Sequence, residues 1–165
     1  MTPEQLAKSG TEHGEQMALF AWCNVARNYG FNVANRWAQG EGLEAAKTSF
    51  TVITAVPVLK WIYAIPNAGA RGNKVAAGQL KAEGLKSGIA DICLPVSKML
   101  WPDKKEYNET QYCGLYIELK RKDGKPSDVS DNQKEFGNFV INQGYHWVTC
   151  YGWMQARDAI VAYLS

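Results

Sequence analysis

Histidine is scarce in this chain: His13 and His146 are the only two. The four cysteines, Cys23, Cys93, Cys113 and Cys150, contain no C-x-x-C pair. A structural zinc site needs four closely spaced Cys or His ligands, so this inventory argues against one. The cysteines read instead as small buried hydrophobes of a reducing compartment. No apolar run approaches the roughly 20 residues that span a bilayer. The polar N-terminus has no signal-peptide pattern, and the expected location is the cytoplasm. Repeats and low-complexity tracts are absent. The glycines around Gly69 and Gly72 lack the G-K-[ST] of a P-loop and do not form a dinucleotide-binding fingerprint. The net charge of +2 favours no partner by itself.

What the chain does have is charge in the wrong place. Gly88–Leu94 and Tyr116–Lys120 each read as a short, largely apolar strand of a buried sheet. Yet the first carries Asp91, and the second carries Glu118 and Lys120. Ionised groups on buried strands are costly unless paired or metal-bound. Alternation puts Leu115, Ile117 and Leu119 on one face and Tyr116, Glu118 and Lys120 on the other. If the Asp91 strand lies beside them, two carboxylates and an ammonium meet. Such a trio suits metal-assisted phosphodiester hydrolysis, with Mg²⁺ or Mn²⁺ held by hard oxygens. A bare E-x-K on a strand is more often a solvated face with a weak ion pair.

The surrounding residues add weight. The D…E-x-K pattern resembles the PD-(D/E)XK nuclease core. Four stretches resemble the virus-type replication-repair nuclease (VRR-NUC) domain: Ile65–Arg71, Leu80–Asp91, Ile117–Lys120 and Ser130–Gln133. One departure is visible: the proline that usually precedes the family's aspartate is Ala90 here, at a position that supplies no ligand. The resemblance implies an α/β fold with a restriction-endonuclease-like core, a central mixed β-sheet flanked by helices. It implies a single domain over residues 1–165, with its core at about 11–165 and an insertion at about 31–58. It further implies a stand-alone, phage-type protein that cuts branched DNA such as four-way junctions, in replication or recombination. Asp91 and Glu118 would hold Mg²⁺ or Mn²⁺, Lys120 would position the attacking water, and Gln133 would help orient it. Asn67, Arg71, Lys81 and Lys86 would contact phosphate. Glu12, four positions before Gln16, fits the family's acidic residue on the first core helix better than Glu15 does. Glu12 is equally explained as an acid favoured by the helix dipole.

In chain order, Thr2–Gln5 forms a capping box and Thr11 caps a longer helix that stops at Gly30. That helix presents Leu19, Trp22, Ala26 and Tyr29 on one side. Residues 31–58 are hard to read: a short helix at Glu41–Lys47 and a strand at Phe50–Val58 interrupted by Pro57. A better strand covers Lys60–Ile65. A turn follows, then a helix over Asn73–Glu83. Residues 97–111 read as a long hairpin loop, and 121–126 as a basic turn. Ser130 caps a helix to Asn142. Gln133 there has a sufficient structural reason as the third residue of a capping box, and an active-site role by resemblance. A strand at Tyr145–Tyr151 and a helix at Trp153–Leu164 finish the chain, the latter with Trp153, Ala156, Ile160 and Tyr163 inward. A crossover helix between the last two core strands allows them to run parallel. His146 reads as structural or exposed.

The expected activity is therefore a metal-dependent DNA endonuclease. Its partner is branched or double-stranded DNA. It is expected to work as a homodimer, because two strands must be cut symmetrically. Two other readings remain: a catalytically inactive DNA-binding adaptor on the same fold, and a restriction-type sequence-specific endonuclease.

Overall fold

The computed structural model describes residues 1–66, 82–99 and 111–165. Helix α1 (Pro3–Ala7) begins on the expected capping box: Gln5 N donates to the Thr2 hydroxyl, and Thr2 N donates to Gln5 Oε1. Helix α2 (Glu12–Ala38) begins on Thr11, whose hydroxyl accepts from Gly14 N at 3.0 Å. The expected stop at Gly30 is a break rather than an end. Gly30 leaves helical geometry (φ 85°, ψ 167°) and the helix then resumes. A Cβ there would lie 2.3 Å from the Thr54 carbonyl oxygen, so the backbone passes where only glycine fits. Two contacts bridge the break. The Trp22 and Phe31 rings stack at 5.6 Å, and Trp22 Nε1 donates to Asn35 Oδ1 at 2.9 Å.

Residues 31–38, read as insertion, are thus the second limb of α2. Helix α3 (Leu43–Thr48) lies close to its expected span. The strand expected over Phe50–Val58 is not there. Pro57 instead opens a 3₁₀ turn, Pro57–Trp61, because its fixed φ and missing N–H suit a helix start and not a ladder. That turn takes the first two residues of the strand expected at Lys60–Ile65, leaving β1 as Tyr63–Ala64. The helix expected at Asn73–Glu83 lies almost wholly outside the described residues.

Strand β2 (Ile92–Leu94) is fully buried. The ends of the expected 97–111 loop pair as β3 (Lys98–Met99) and β4 (Gln111–Tyr112), with Lys98 opposite Tyr112. Then come β5 (Leu115–Lys120), α4 (Asp131–Asn142), β6 (His146–Tyr151) and α5 (Trp153–Leu164). Among the described residues four strands form one sheet in the order β1-β2-β5-β6. β1 with β2 and β2 with β5 are antiparallel. β5 and β6 rise together: His146 N donates to Gly114 O at one end and Gly152 N to Lys120 O at the other. That parallel pair makes the sheet mixed, and α4 is its crossover.

The chain divides into two compact units. One comprises Met1–Ile62, Leu119–Gly124 and Thr149–Ser165. Its core is the buried stripe of α2 (Ala18, Leu19, Trp22, Ala26, Val33, Ala34) with Trp153, Ala156, Ile160 and Tyr163 of α5. All four of those α5 residues were expected inward from helical spacing. The other unit comprises Tyr63–Glu118 and Lys125–Val148. Its core holds β2, Leu115, Ile117 and Val140, with the Tyr116 ring edge-on to Phe136 at 5.3 Å. Among the described residues no helix is long and apolar enough to cross a membrane.

Cys113 is exposed, whereas Cys23, Cys93 and Cys150 are buried. Burial pushes the Cys23 thiol up to about 12, and burial with the Asp158 charge does the same for Cys150. Burial also raises Cys93. Since the thiolate is the nucleophile, a thiol-disulfide reagent at pH 8 will modify Cys113 rapidly and the other three only after denaturation. Rapid reaction of a second thiol in the native protein would contradict this.

Candidate functional site

Glu118 is the most unusual residue of the described chain: a carboxylate with 0% exposure on a central strand. Its neighbours in sequence are apolar because β5 is covered on both faces, with Leu115, Ile117 and Leu119 also buried. The second carboxylate is that of Asp91, the residue immediately before β2. The register ends with Ile92 opposite Ile117, and extending it by one residue brings Asp91 level with Glu118. Residues opposite each other in an antiparallel pair project to the same face. Asp91 is anchored there by its own backbone, its carbonyl accepting from Ile65 N at 2.7 Å.

Helix α4 brings the third group. Gln133 Nε2 donates to Glu118 Oε1, while Gln133 Oε1 accepts from Ser130 N at 2.9 Å. One amide therefore does both things that the sequence offered as alternatives. Its oxygen closes the capping box and its nitrogen holds the carboxylate. The close approach of the Asp91 segment to α4 depends on Gly88 (φ 84°), where a Cβ would stand 2.9 Å from the Asn132 carbonyl carbon. No larger residue fits between that backbone and the turn that carries Gln133.

No family model matches the chain, and no curated protein matches it. Among solved structures, a VRR_NUC domain protein is similar, with a TM-score of 0.55 over 93% of this chain and 88% of that one. The fold is VRR-NUC-like. At 19% sequence identity the likeness is one of fold.

In this VRR-NUC-like fold Lys120 lies two residues beyond Glu118, on the same face of β5 and only 6% exposed. Its carbonyl accepts from Gly152 N, which fixes that end of the strand. Lys86 is exposed on the loop before Asp91. Asn67, Arg71 and Lys81 lie outside the described residues. Glu12 is exposed in the first turn of α2.

Glu15, the residue that fitted the family spacing less well, is the buried one at 3% exposure. Its Oε2 accepts from Trp153 N at 2.8 Å, the first N–H of α5. Gly152, which precedes that helix, has no side chain to cap it, so a carboxylate from α2 does so and meets the helix dipole favourably. The signal was in the sequence: Glu15 sits four residues before Leu19, on the same stripe as Trp22 and Ala26.

As a donor set, Asp91 and Glu118 offer hard oxygens on one face of the sheet. That suits Mg²⁺ or Mn²⁺, which take one or two carboxylates and fill their other positions with water and phosphate. Among the described residues no group of three or more His, Cys, Asp or Glu gathers into an all-protein cage.

Proposed function

We propose that this protein is a metal-dependent endodeoxyribonuclease that hydrolyses phosphodiester bonds in branched DNA such as four-way junctions. The observation that supports this best is the register of β2 and β5 in a VRR-NUC-like fold: it pairs Ile92 with Ile117, the residues next to Asp91 and the fully buried Glu118. Asp91 and Glu118 hold Mg²⁺ or Mn²⁺. The bound ion supplies Lewis-acid stabilisation of the scissile phosphate and a more acidic water. Glu118 is kept in place by the Gln133 amide, so its carboxylate does not turn away from Asp91. Lys120 brings a positive charge to the face where negative charge develops and orients the attacking water. Lys86, with Asn67, Arg71 and Lys81, contacts the phosphate backbone. Two protomers act together, one on each strand of a junction.

The test is a cleavage assay on a labelled four-way junction, a flap and a plain duplex, with Mg²⁺, Mn²⁺ or EDTA. Metal-dependent cutting of the junction is the expected result. Cutting of plain duplex at fixed sequences would mean a restriction-type enzyme. Junction binding with no cutting under either metal would mean an adaptor.

The two roles of Gln133 separate by substitution. Gln133→Glu keeps an oxygen for Ser130 N but sets a second carboxyl against Glu118. Like charges at that distance raise one carboxyl pKa in the folded state. The folded pKa then exceeds the unfolded value, so the stability of Gln133→Glu is present at low pH and is lost as pH rises through the raised value. Thermal melts of the metal-free variant will fall behind wild type at neutral pH and recover towards the ordinary carboxyl range near about pH 4.3. Gln133→Ala loses both contacts, costs about 0.3–1.5 kcal/mol for its part in the capping box, and shows no such recovery.

A further inference from the structure

The 3₁₀ turn Pro57–Trp61 has two opposite sides. Residues three apart eclipse in such a turn. Leu59 and Ile62 are buried at 3% and 8% exposure, whereas Val58 and Trp61 face solvent at 37% and 62%. Val52 and Ile53 just before the turn are also exposed. An indole left this open is unusual, since tryptophan is strongly buried on average. It is not bare: the Lys60 ammonium lies over the Trp61 ring at 5.1 Å. No acidic residue occurs anywhere from Ala45 to Pro66.

We infer that Trp61, with Lys60 beside it, is a stacking platform for an unpaired nucleobase of a DNA strand. The inference rests on the nucleic-acid reading above and names the feature of the substrate that this surface takes. An exposed aromatic face with an adjacent cation is the combination that holds single strands: the ring stacks on a base and the ammonium meets the neighbouring phosphate. The acid-free segment around it contributes no negative charge to repel that phosphate. A second copy of the chain fits less well. A two-fold contact centred on Trp61 brings the Lys60 side chains of the two copies together, like charge against like. Branched DNA offers what the surface needs at a flap, whose bases are unpaired where those of a closed duplex are paired and stacked.

The experiment is fluorescence anisotropy in EDTA, where nothing is cut, with labelled oligo(dT) and a blunt duplex of equal length. Wild type, Trp61→Ala, Trp61→Phe and Lys60→Ala are compared, and each is sedimented. Trp61→Ala is expected to weaken oligo(dT) binding about tenfold and to leave duplex binding within about twofold. Trp61→Phe restores most of the loss. Lys60→Ala weakens binding and lowers the salt slope by about one. Equal affinity of wild type and Trp61→Ala for oligo(dT) would overturn the inference, as would no binding of oligo(dT) by wild type. A shift from dimer to monomer in Trp61→Ala, with DNA binding intact in the monomer, would overturn it too, by making Trp61 a subunit contact. The nuclease reading fails separately. Stacking present but no cleavage of any substrate removes the enzyme and keeps the platform, whereas junction cleavage with no Trp61 effect does the reverse.

Discussion

Glu118→Gln and Asp91→Asn will each slow junction cleavage about a thousandfold without unfolding the protein. The ion is expected to supply several kcal/mol of transition-state stabilisation, and each 1.4 kcal/mol is tenfold in rate. Both changes replace one carboxylate oxygen by an amide group of the same shape. The volume at the fully buried Glu118 position is kept, and so is an oxygen to accept from Gln133 Nε2. What goes is the negative charge that holds a hard cation. Single-turnover rates under Mg²⁺ and Mn²⁺ measure the loss, and circular dichroism with a thermal melt establishes the fold. Lys120→Ala belongs in the same series. Its loss should appear in the rate at saturating metal, whereas the carboxylate variants should also need more metal. Variants that cut within tenfold of wild type would remove Asp91 and Glu118 from the chemistry.

Gly30→Ala will lower the melting temperature by about 10 °C. Two costs add. The backbone at φ 85°, ψ 167° is a region that only glycine occupies without strain, about 1–3 kcal/mol for any other residue. The new methyl would stand 2.3 Å from the Thr54 carbonyl oxygen, and forcing extra volume into a packed place costs about another 1–3 kcal/mol. In a protein of this size each kcal/mol moves the midpoint by about 2–4 °C. Gly40→Ala is the control. Its φ is also positive, at 98°, but nothing lies within 4 Å of the added Cβ. It should lose only the strain component. Equal losses at the two positions would mean that the approach of Thr54 contributes nothing.

Much of the fold was legible where local chemistry and long-range packing ask for the same residue. Thr2 and Ser130 cap helices because their hydroxyls reach the third N–H, and neither needs a distant partner to do so. Trp153, Ala156, Ile160 and Tyr163 lie on one side at helical spacing, and that side is buried. Legibility ended where a distant backbone decides the local one. Gly30 looks like a helix stop from its neighbours, but Thr54 turns the stop into a bend. The β-branched run Phe50–Val58 looks like a strand, yet Pro57 commits the next turn to 3₁₀ geometry and no ladder forms. At the site, the charged residues on β2 and β5 stood out because charge on apolar strands is costly. Their mutual register was not readable, since pairing is set by contacts made across the sheet. The double use of the Gln133 amide was equally hidden, because the capping rule alone accounts for that residue.

The Glu15 carboxylate accepts its hydrogen bond from a residue 138 positions later in the chain. A ribosome releases the chain from one end, so α2 emerges with this acid long before Trp153 exists. The first unit is likewise built from three separated segments, the last beginning at Thr149. During synthesis its early helices have no α5 to cover their apolar stripe, and Glu15 stays hydrated. Such distant closures are entropically expensive to reach and slow to form. Folding of this unit therefore waits for its third segment, Thr149–Ser165. A nonsense codon just before Trp153 removes α5 and leaves α2 with no helix to complete its bundle.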